Sequence, residues 1–390
     1  MTINLNGNLK AAIIEPVGGH GGMNYYDFGL IDGLIKNGVN SFLYTCDSTT
    51  PPYDKKNRTF CFFRGIYGSA PKTIRFFRFF RGLICSLRHA KLMGASLVHY
   101  HFFHYSISEI ISIICARVFG IRVVITAHDV ESFISGSSEA IARFIFKNVD
   151  GIIVHNKISE EVLRKIVGYD CSNIAVIPHG NYLDFLANAP SREEARNVLS
   201  IPTDCFMALF FGQIKKVKGL DLLLEAWKKV DHQKKNSLLV VAGKIWKDDA
   251  VKYQEIVEKG DIRSSVRFDI RYVPDREALS YYAAADLIVL PYRKIYQSGV
   301  LLMAMSHARA VLVSDIPGMT EIIEDGVNGF VFHSEDIQEL SKSLIGAMQD
   351  TNLRESVAQR GLQTVLTAHS WHKIGAATKV FYERICTGVK

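Results

Sequence analysis

The sequence predicts an α/β protein made of two Rossmann-like, doubly wound domains facing a cleft. Three observations predict it. Short apolar runs alternate with helix-patterned segments in two series, separated by a weakly patterned stretch at 180–204. The 390 residues exceed the size at which one hydrophobic core stops growing. Residues 291–329 read strand–loop–helix–strand–loop–helix, the grammar of a parallel sheet with its ligand at the carboxyl ends of the strands.

In the first series, 10–15 is a strand, 17–22 a glycine loop, and about 24–36 a helix. Further strands are expected at 41–46, 97–102, 123–127, 152–155 and 174–177, with helical patterns at 107–118, 137–147 and 158–167. The linker carries one short charged helix, 191–199, in which Ser191 precedes Glu194 by three residues, the spacing of a capping box. The second series places strands at 207–211, 238–242, 266–269, 287–290, 310–313 and 330–332. Helices at about 220–230, 250–259, 276–284, 299–307 and 336–348 separate them. The domains so drawn are 1–185 and 186–369, and an amphipathic helix within 370–390 suits docking on either. Two such domains in tandem imply a cleft between them.

Composition narrows the function classes. A hydrophobic content of 48% is ordinary for a globular protein. The formal charge of +7, with basic and acidic residues interspersed, favours anionic small molecules or a membrane surface and does not require nucleic acid. Seven scattered cysteines, an odd number without a CxxC pair, speak against a zinc site or a disulfide framework. The first ten residues lack the shape of a signal peptide, and no run reaches about 18 uninterrupted apolar residues. A cytoplasmic enzyme is the expectation.

Candidate chemistry lies at strand ends. The loop Gly18-Gly19-His20-Gly21-Gly22 between a strand and a helix suits close approach of an anion or sugar to backbone, or serves as a plain tight turn. It is not the dinucleotide fingerprint. Histidines cluster near three strand ends, at His99, His101 and His104, at His128-Asp129, and at His155-Asn156. Their spacing fits no zinc motif, and a lone histidine is usually a hydrogen-bonded bystander. His128 ends a strongly apolar strand, and so is a candidate to hold a sugar hydroxyl or, with Asp129 or Glu131, to act as a base. In the second domain FFGQIKKVKG (210–219) is a strand, a loop with three lysines and a helix start. Lys244 ends the next strand, and Ser298-Gly299 opens a helix whose free backbone N–H groups suit a phosphate. In isolation, a basic loop is as readily a solvated one.

Residues 74–88, IRFFRFFRGLICSLR, place Phe76, Phe77, Phe79, Phe80, Leu83, Ile84 and Leu87 on one broad helical face and Arg75, Arg78, Arg81 and Arg88 on the other. This is either an interfacial membrane helix touching anionic lipid or a helix packing aromatics on the sheet.

Taken together, Gly18–Gly22, VIPHGN (176–181), FFGQIKKVKGLDLLLEAW (210–227), VPDREALSYYAAADLIVLPY (273–292), SDIPGMTEIIEDGVNGFVF (314–332) and SWHKIGAATKVFYERI (370–385) resemble the GT-B glycosyltransferases, most of all the family 4 group. The resemblance spans nearly the whole chain. It implies a nucleotide-sugar donor held in the C-terminal domain, a last helix that crosses back to the N-terminal domain, no cofactor and no metal. The resemblance makes Lys218 the phosphate-binding lysine and gives Ser298, Gly299 and Val300 the distal phosphate. Gly212, Gln213, Lys244, Tyr272, Val273 and Glu321 join the donor-binding set, with Gln213 where an arginine is usual and Lys215, Lys216 or Lys244 as substitutes. His128, with Asp129 beside it, matches the histidine that contacts the donor sugar, and Gly21 and Gly22 face the reaction centre. The usual pair of glutamates eight residues apart falls at Ile295 and Met303, which puts donor identity and a retaining outcome in question.

The expected function is transfer of a hexosyl unit from a UDP- or GDP-sugar to a saccharide acceptor, lipid-linked and at the inner face of a bacterial membrane. A nucleotide-sugar epimerase of the same architecture and an inactive scaffold are the competing readings.

Overall fold

The first strand, β1 (Lys10–Ile14), is buried along almost its whole length, which marks an inner strand of a sheet covered on both faces. The computed structural model describes residues 9–19, 22–128, 130, 139–167, 173–230 and 236–388. The chain forms two compact units, one of Met1–Gly180 with His369–Lys390 and one of Asn181–Ala368. The join therefore falls at 180/181 rather than 185/186, because Asn181 is held from within the second unit by its side-chain amide on the Val365 carbonyl at 3.0 Å.

In the first unit β1 is followed by α1 (Met23–Lys36), β2 (Asn40–Cys46), β3 (Thr59–Phe63), α2 (Lys72–Leu92), β4 (Leu97–Phe102) and α3 (Ile107–Val118). Then come β5 (Arg122–Ala127), α4 (Glu139–Lys147), β6 (Gly151–Val154), α5 (Lys157–Val167) and β7 (Ile174–Val176). The strands pair in parallel in the order β3-β2-β1-β4-β5-β6-β7. β3 is absent from the sequence expectation.

The second unit holds α6 (Arg192–Leu199), β8 (Phe206–Phe211), α7 (Leu220–Trp227), β9 (Ser237–Ala242), α8 (Ala250–Lys259), β10 (Val266–Asp269) and α9 (Asp275–Ala284). It continues through β11 (Leu287–Leu290), α10 (Gly299–Ser306), β12 (Ala310–Ser314), α11 (Pro317–Thr320), β13 (Phe330–Phe332), α12 (Ile337–Gln349) and α13 (Thr351–Ala368). Its parallel order is β10-β9-β8-β11-β12-β13. The capping box read at Ser191 is present: Oγ accepts from the Glu194 N–H at 3.2 Å, and the Glu194 carboxylate accepts from the Ser191 N–H at 2.9 Å.

The last helix, α14 (Trp371–Thr387), belongs to the first unit and packs along α1. Two glycines allow this approach. A Cβ on Gly33 would stand 2.1 Å from the Trp371 carbonyl oxygen, and one on Gly375 would stand 2.1 Å from the Gly33 carbonyl carbon. The buried face of α14 carries Trp371, Ile374, Phe381, Tyr382 and Ile385, spaced to line one side, against Tyr26, Leu30 and Leu34 of α1. The Asn37 amide ties the two helices by donating to the Gly33 and His372 carbonyls at 2.8 and 2.9 Å.

Helix α2 packs only part of the apolar face read from its sequence on the sheet. Its C-terminal half buries Gly82, Leu83, Ser86, Leu87 and Ala90, while Phe76, Phe77 and Phe80 of its N-terminal half are exposed. Of the four phenylalanines only Phe79 turns toward the sheet, its ring 5.6 Å from Phe63. The small side of the helix is what meets β3, where a Cβ on Gly82 would lie 2.8 Å from the Phe63 ring.

Candidate functional site

In a doubly wound sheet, ligands settle where the strand order reverses. In the second unit that point lies between β8 and β11, neighbours in space but not in sequence. The loops leaving their carboxyl ends are 212–219 and 291–298. A single turn, Lys216–Lys218, ends at Gly219, whose φ of 67° is left-handed. A Cβ there would lie 1.9 Å from the Pro291 carbonyl oxygen, so the two loops close on each other through a bare glycine. The half-buried Lys218 is brought over Tyr292, its Nζ 3.6 Å from the ring centroid. Burial, with Lys215 nearby adding repulsion, pushes its ammonium down to about 7. No carboxylate pairs with Lys218 among the described residues, whereas the neighbouring Arg293 is committed. It holds Asp221 with two bonds of 2.8 Å and donates to Glu335 and to the Lys216 carbonyl, each at 2.8 Å.

Ser298 caps α10 by accepting from the Leu301 N–H at 3.2 Å, which leaves the first amides of the helix for other partners. The Tyr182 hydroxyl reaches within 2.8 Å of where a Cβ on Gly299 would stand, and Val300 packs on Gly212. Gly212, Lys218, Ser298, Gly299 and Val300 thus share this end of the sheet. Gln213 and Lys244 are exposed on the loops after β8 and β9, which are tied together by the Ile214 N–H donating to the Lys244 carbonyl at 2.9 Å. Tyr272 is exposed, and the side chain of Val273 is packed in the core, which leaves its backbone to face a donor. Glu321 is exposed just past α11. Ile295 and Met303 pack on the apolar core of this unit. Tyr182 and Tyr292 escaped the sequence reading. Only the position of Tyr292, right after an apolar strand run, could have flagged one of them.

The first unit reverses between β1 and β4. Glu15 follows β1 and organises the glycine loop, its Oε1 accepting from the Val17 N–H at 2.8 Å and its Oε2 from the Gly18 N–H at 2.5 Å. Burial, reinforced by the Asp27 carboxyl, raises Glu15 to about 8. Asp27 is fully buried, 3.2 Å from His101 Nδ1. Burial raises the Asp27 carboxyl, against a hydrogen bond with Glu15 that lowers it, and burial brings His101 down to about 4 against the nearby Glu15 carboxyl. Gly22 starts α1 with a φ of 80°. Gly21, Asp129 and Glu131 lie outside the described residues.

Around Tyr26 the histidines converge. Its ring centroid lies 5.1 Å from His101, 4.8 Å from His128, 5.6 Å from His155 and 4.9 Å from His179. His99 and His101 sit within β4 rather than after it, and His104 is exposed. His99 binds the Tyr382 hydroxyl at 2.6 Å and the Thr126 hydroxyl at 2.7 Å, which anchors α14 to the sheet. His128 follows β5, stacks on Phe103 at 4.7 Å, and places Nδ1 3.2 Å from His155 Nε2. Burial, then mutual repulsion, holds His128 far below the usual imidazole range, His155 at about 4 and His179 at about 3. For His155 burial is again the main cause. Among the described residues no group of three His, Cys, Asp or Glu side chains is arranged to hold a metal. Nor is any described helix long and apolar enough to cross a membrane.

The family model described as "Glycosyltransferase Family 4" matches residues 20–185, and that described as "Glycosyl transferases group 1" matches residues 191–364. An uncharacterized glycosyltransferase of Methanocaldococcus jannaschii is 24% identical over 383 residues, covering 93% of this chain and 94% of that protein. A GDP-mannose:glycolipid 4-beta-D-mannosyltransferase of Xanthomonas campestris is 30% identical over 199 residues, about half of each chain (51% and 52%). The solved structure of Anabaena HepE in complex with UDP and glucose has a TM-score of 0.73 at 16% identity, covering 96% of this chain and 99% of that one.

Proposed function

Since the chain belongs to the GT-B glycosyltransferases of the family 4 type, we propose that it moves a hexosyl unit from a UDP- or GDP-sugar to a saccharide acceptor without a metal ion. One observation carries this reading: a half-buried lysine over Tyr292, with no carboxylate partner among the described residues, on a loop closed against the loop that opens α10. When the sugar leaves, the pyrophosphate gains negative charge. A lysine in a dry setting and free amides at a helix start oppose that charge more strongly in the transition state than in the bound donor. In this reading the second unit takes the diphosphate, and His128 of the first holds a hydroxyl of the transferred sugar. A retaining transfer needs no protein nucleophile. An inverting one would draw its base from His128, Asp129 or Glu131.

The glycolipid named as substrate of the Xanthomonas relative supports a lipid-linked acceptor, and with it work at the inner face of a bacterial membrane in surface polysaccharide or glycolipid synthesis. The exposed Phe76, Phe77 and Phe80 on α2, beside Arg75, Arg78 and Arg81, support peripheral contact with anionic lipid. Flotation with anionic liposomes tests this; unchanged flotation after replacing the three arginines together would reject it.

The deciding experiment is thermal shift against a panel of nucleotide-sugars, followed by turnover of the stabilising one. Lys218→Ala is expected to lower the transfer rate about 10²- to 10³-fold. Wild-type turnover in that variant would sink the reading. Ile295 and Met303, in place of the usual glutamates, favour one competitor, a non-catalytic scaffold. A nucleotide-sugar bound but never consumed with any acceptor would favour it.

A further inference from the structure

The hydrogen bonds of His155 fix where the protons lie in its neighbour. His155 Nδ1 is 3.0 Å from the Ile177 carbonyl oxygen. A carbonyl only accepts, so Nδ1 carries the proton. His155 is buried among His101, His128 and His179, where a second ring proton would put an unpaired cation. Its Nε2 is therefore a lone pair. The hydrogen bond from that lone pair to His128 Nδ1, 3.2 Å away, needs a proton, and only His128 Nδ1 can supply it. His128 is kept neutral by the same surroundings, which leaves its Nε2 unprotonated.

That Nε2 is shielded from solvent and meets no hydrogen-bond partner among the described residues. The ring cannot easily turn away. One face lies on Phe103 at an interplanar angle of 11°, and Tyr26 meets it edge to face at 81°. A buried acceptor without a donor is costly unless a ligand supplies one. We infer that His155 is a positioning residue, which locks His128 in the Nδ1–H tautomer so that its Nε2 accepts a hydrogen bond from a hydroxyl of the bound sugar. The identity of the hydroxyl's owner rests on the glycosyltransferase reading; the tautomer does not. A sugar offering a carboxylate or keto oxygen at this point would set lone pair against lone pair, so the relay selects for a hydroxyl.

The test uses the full-length protein labelled with [15N]histidine. Two-bond proton–nitrogen correlation spectra distinguish the tautomers, and His128→Gln and His155→Gln assign the two rings. Expected at neutral pH is a protonated Nδ1 and a bare Nε2 on His128, with the balance moving toward Nε2–H in His155→Phe. A protonated Nε2 in the wild type, or no change in His155→Phe, overturns the tautomer assignment whatever the activity. Kinetics form the second arm. With a donor that is turned over, His155→Phe is expected to lower kcat/KM about 10- to 100-fold. His155→Gln, whose amide can donate to Ile177 and accept from His128, restores most of it even if the Phe variant folds poorly. His128→Ala with His155→Phe should be no slower than His128→Ala alone. If the tautomer is as stated but turnover ignores both residues, the hydroxyl-accepting role falls. If Lys218→Ala is also silent, the glycosyltransferase reading falls with it.

Discussion

Lys218 owes its behaviour to limited hydration. With its ammonium pushed down to about 7 over Tyr292, a large share of free protein near neutral pH carries a neutral amine there. A bound diphosphate favours the charged form and so raises the pKa again. Nucleotide affinity is therefore expected to be flat well below pH 7 and to weaken as the pH rises through 7, by at most about tenfold per pH unit. Binding above pH 7 should take up a proton. Titration calorimetry in buffers of different ionisation enthalpy measures that uptake, and Lys218→Arg should abolish it. Proton release, or none exchanged, would contradict the assignment. Glu15 yields a prediction about stability. Its folded-state pKa of about 8 lies above the ordinary 4.5, so the neutral acid is what the fold prefers. Its contribution is complete below pH 4.5 and is lost as the pH rises through 8. The melting temperature should fall between pH 6 and 9, and Glu15→Gln should flatten that fall. A slope unchanged in Glu15→Gln would assign it to other groups.

At the scale of elements, the α1–α14 contact depends on missing side chains. Gly33→Ala puts a methyl 2.1 Å from the Trp371 carbonyl oxygen, which is expected to destabilise the first unit by about 1–3 kcal/mol. Gly346→Ala is the contrast: that residue lies inside α12 with nothing within 4 Å, so the change should stabilise by about 0.5–1 kcal/mol. Chemical denaturation separates the two; equal effects would deny the packing its role. Such contacts also mark where sequence reading works. Central strands were legible because burial on both faces makes them unbroken apolar runs, as in β8 and β11. β3 was missed because it is an edge strand, half-buried and paired only with β2. α13 was missed because its buried stripe is only Val357, Ala358, Gly361 and Val365, while Leu353 and Leu366 are exposed and blur the helical period. Lys218, Ser298 and Gly299 were legible because a strand–loop–helix unit places its loop at the ligand end. The histidine cluster was not, since His99, His128, His155 and His179 are far apart in sequence and meet only through the strand order β1-β4-β5-β6-β7.

At the scale of the whole chain, the first unit is assembled from both ends of the sequence, and the second is one continuous stretch. This asymmetry separates their stabilities. Without residues 369–390, the first unit loses the cover over Tyr26, Leu30 and Leu34 and the buried bond from His99 to the Tyr382 hydroxyl at 2.6 Å. An uncovered apolar face and an orphaned imidazole both oppose folding. The second unit loses none of its own strands or helices. A chain ending at residue 368 is therefore expected to lose the cooperative melting of the first unit while the second still unfolds as a unit. A fragment of residues 181–368 should fold alone. Because Lys218, Tyr292, Ser298 and Gly299 all lie within it, added UDP or GDP should still raise its melting temperature. Scanning calorimetry on the truncated chain and the fragment reads both effects. Intact melting of the first unit without its last helix would show that α14 only decorates the sheet. A fragment that folds but ignores nucleotide would move the diphosphate site away from the switch between β8 and β11.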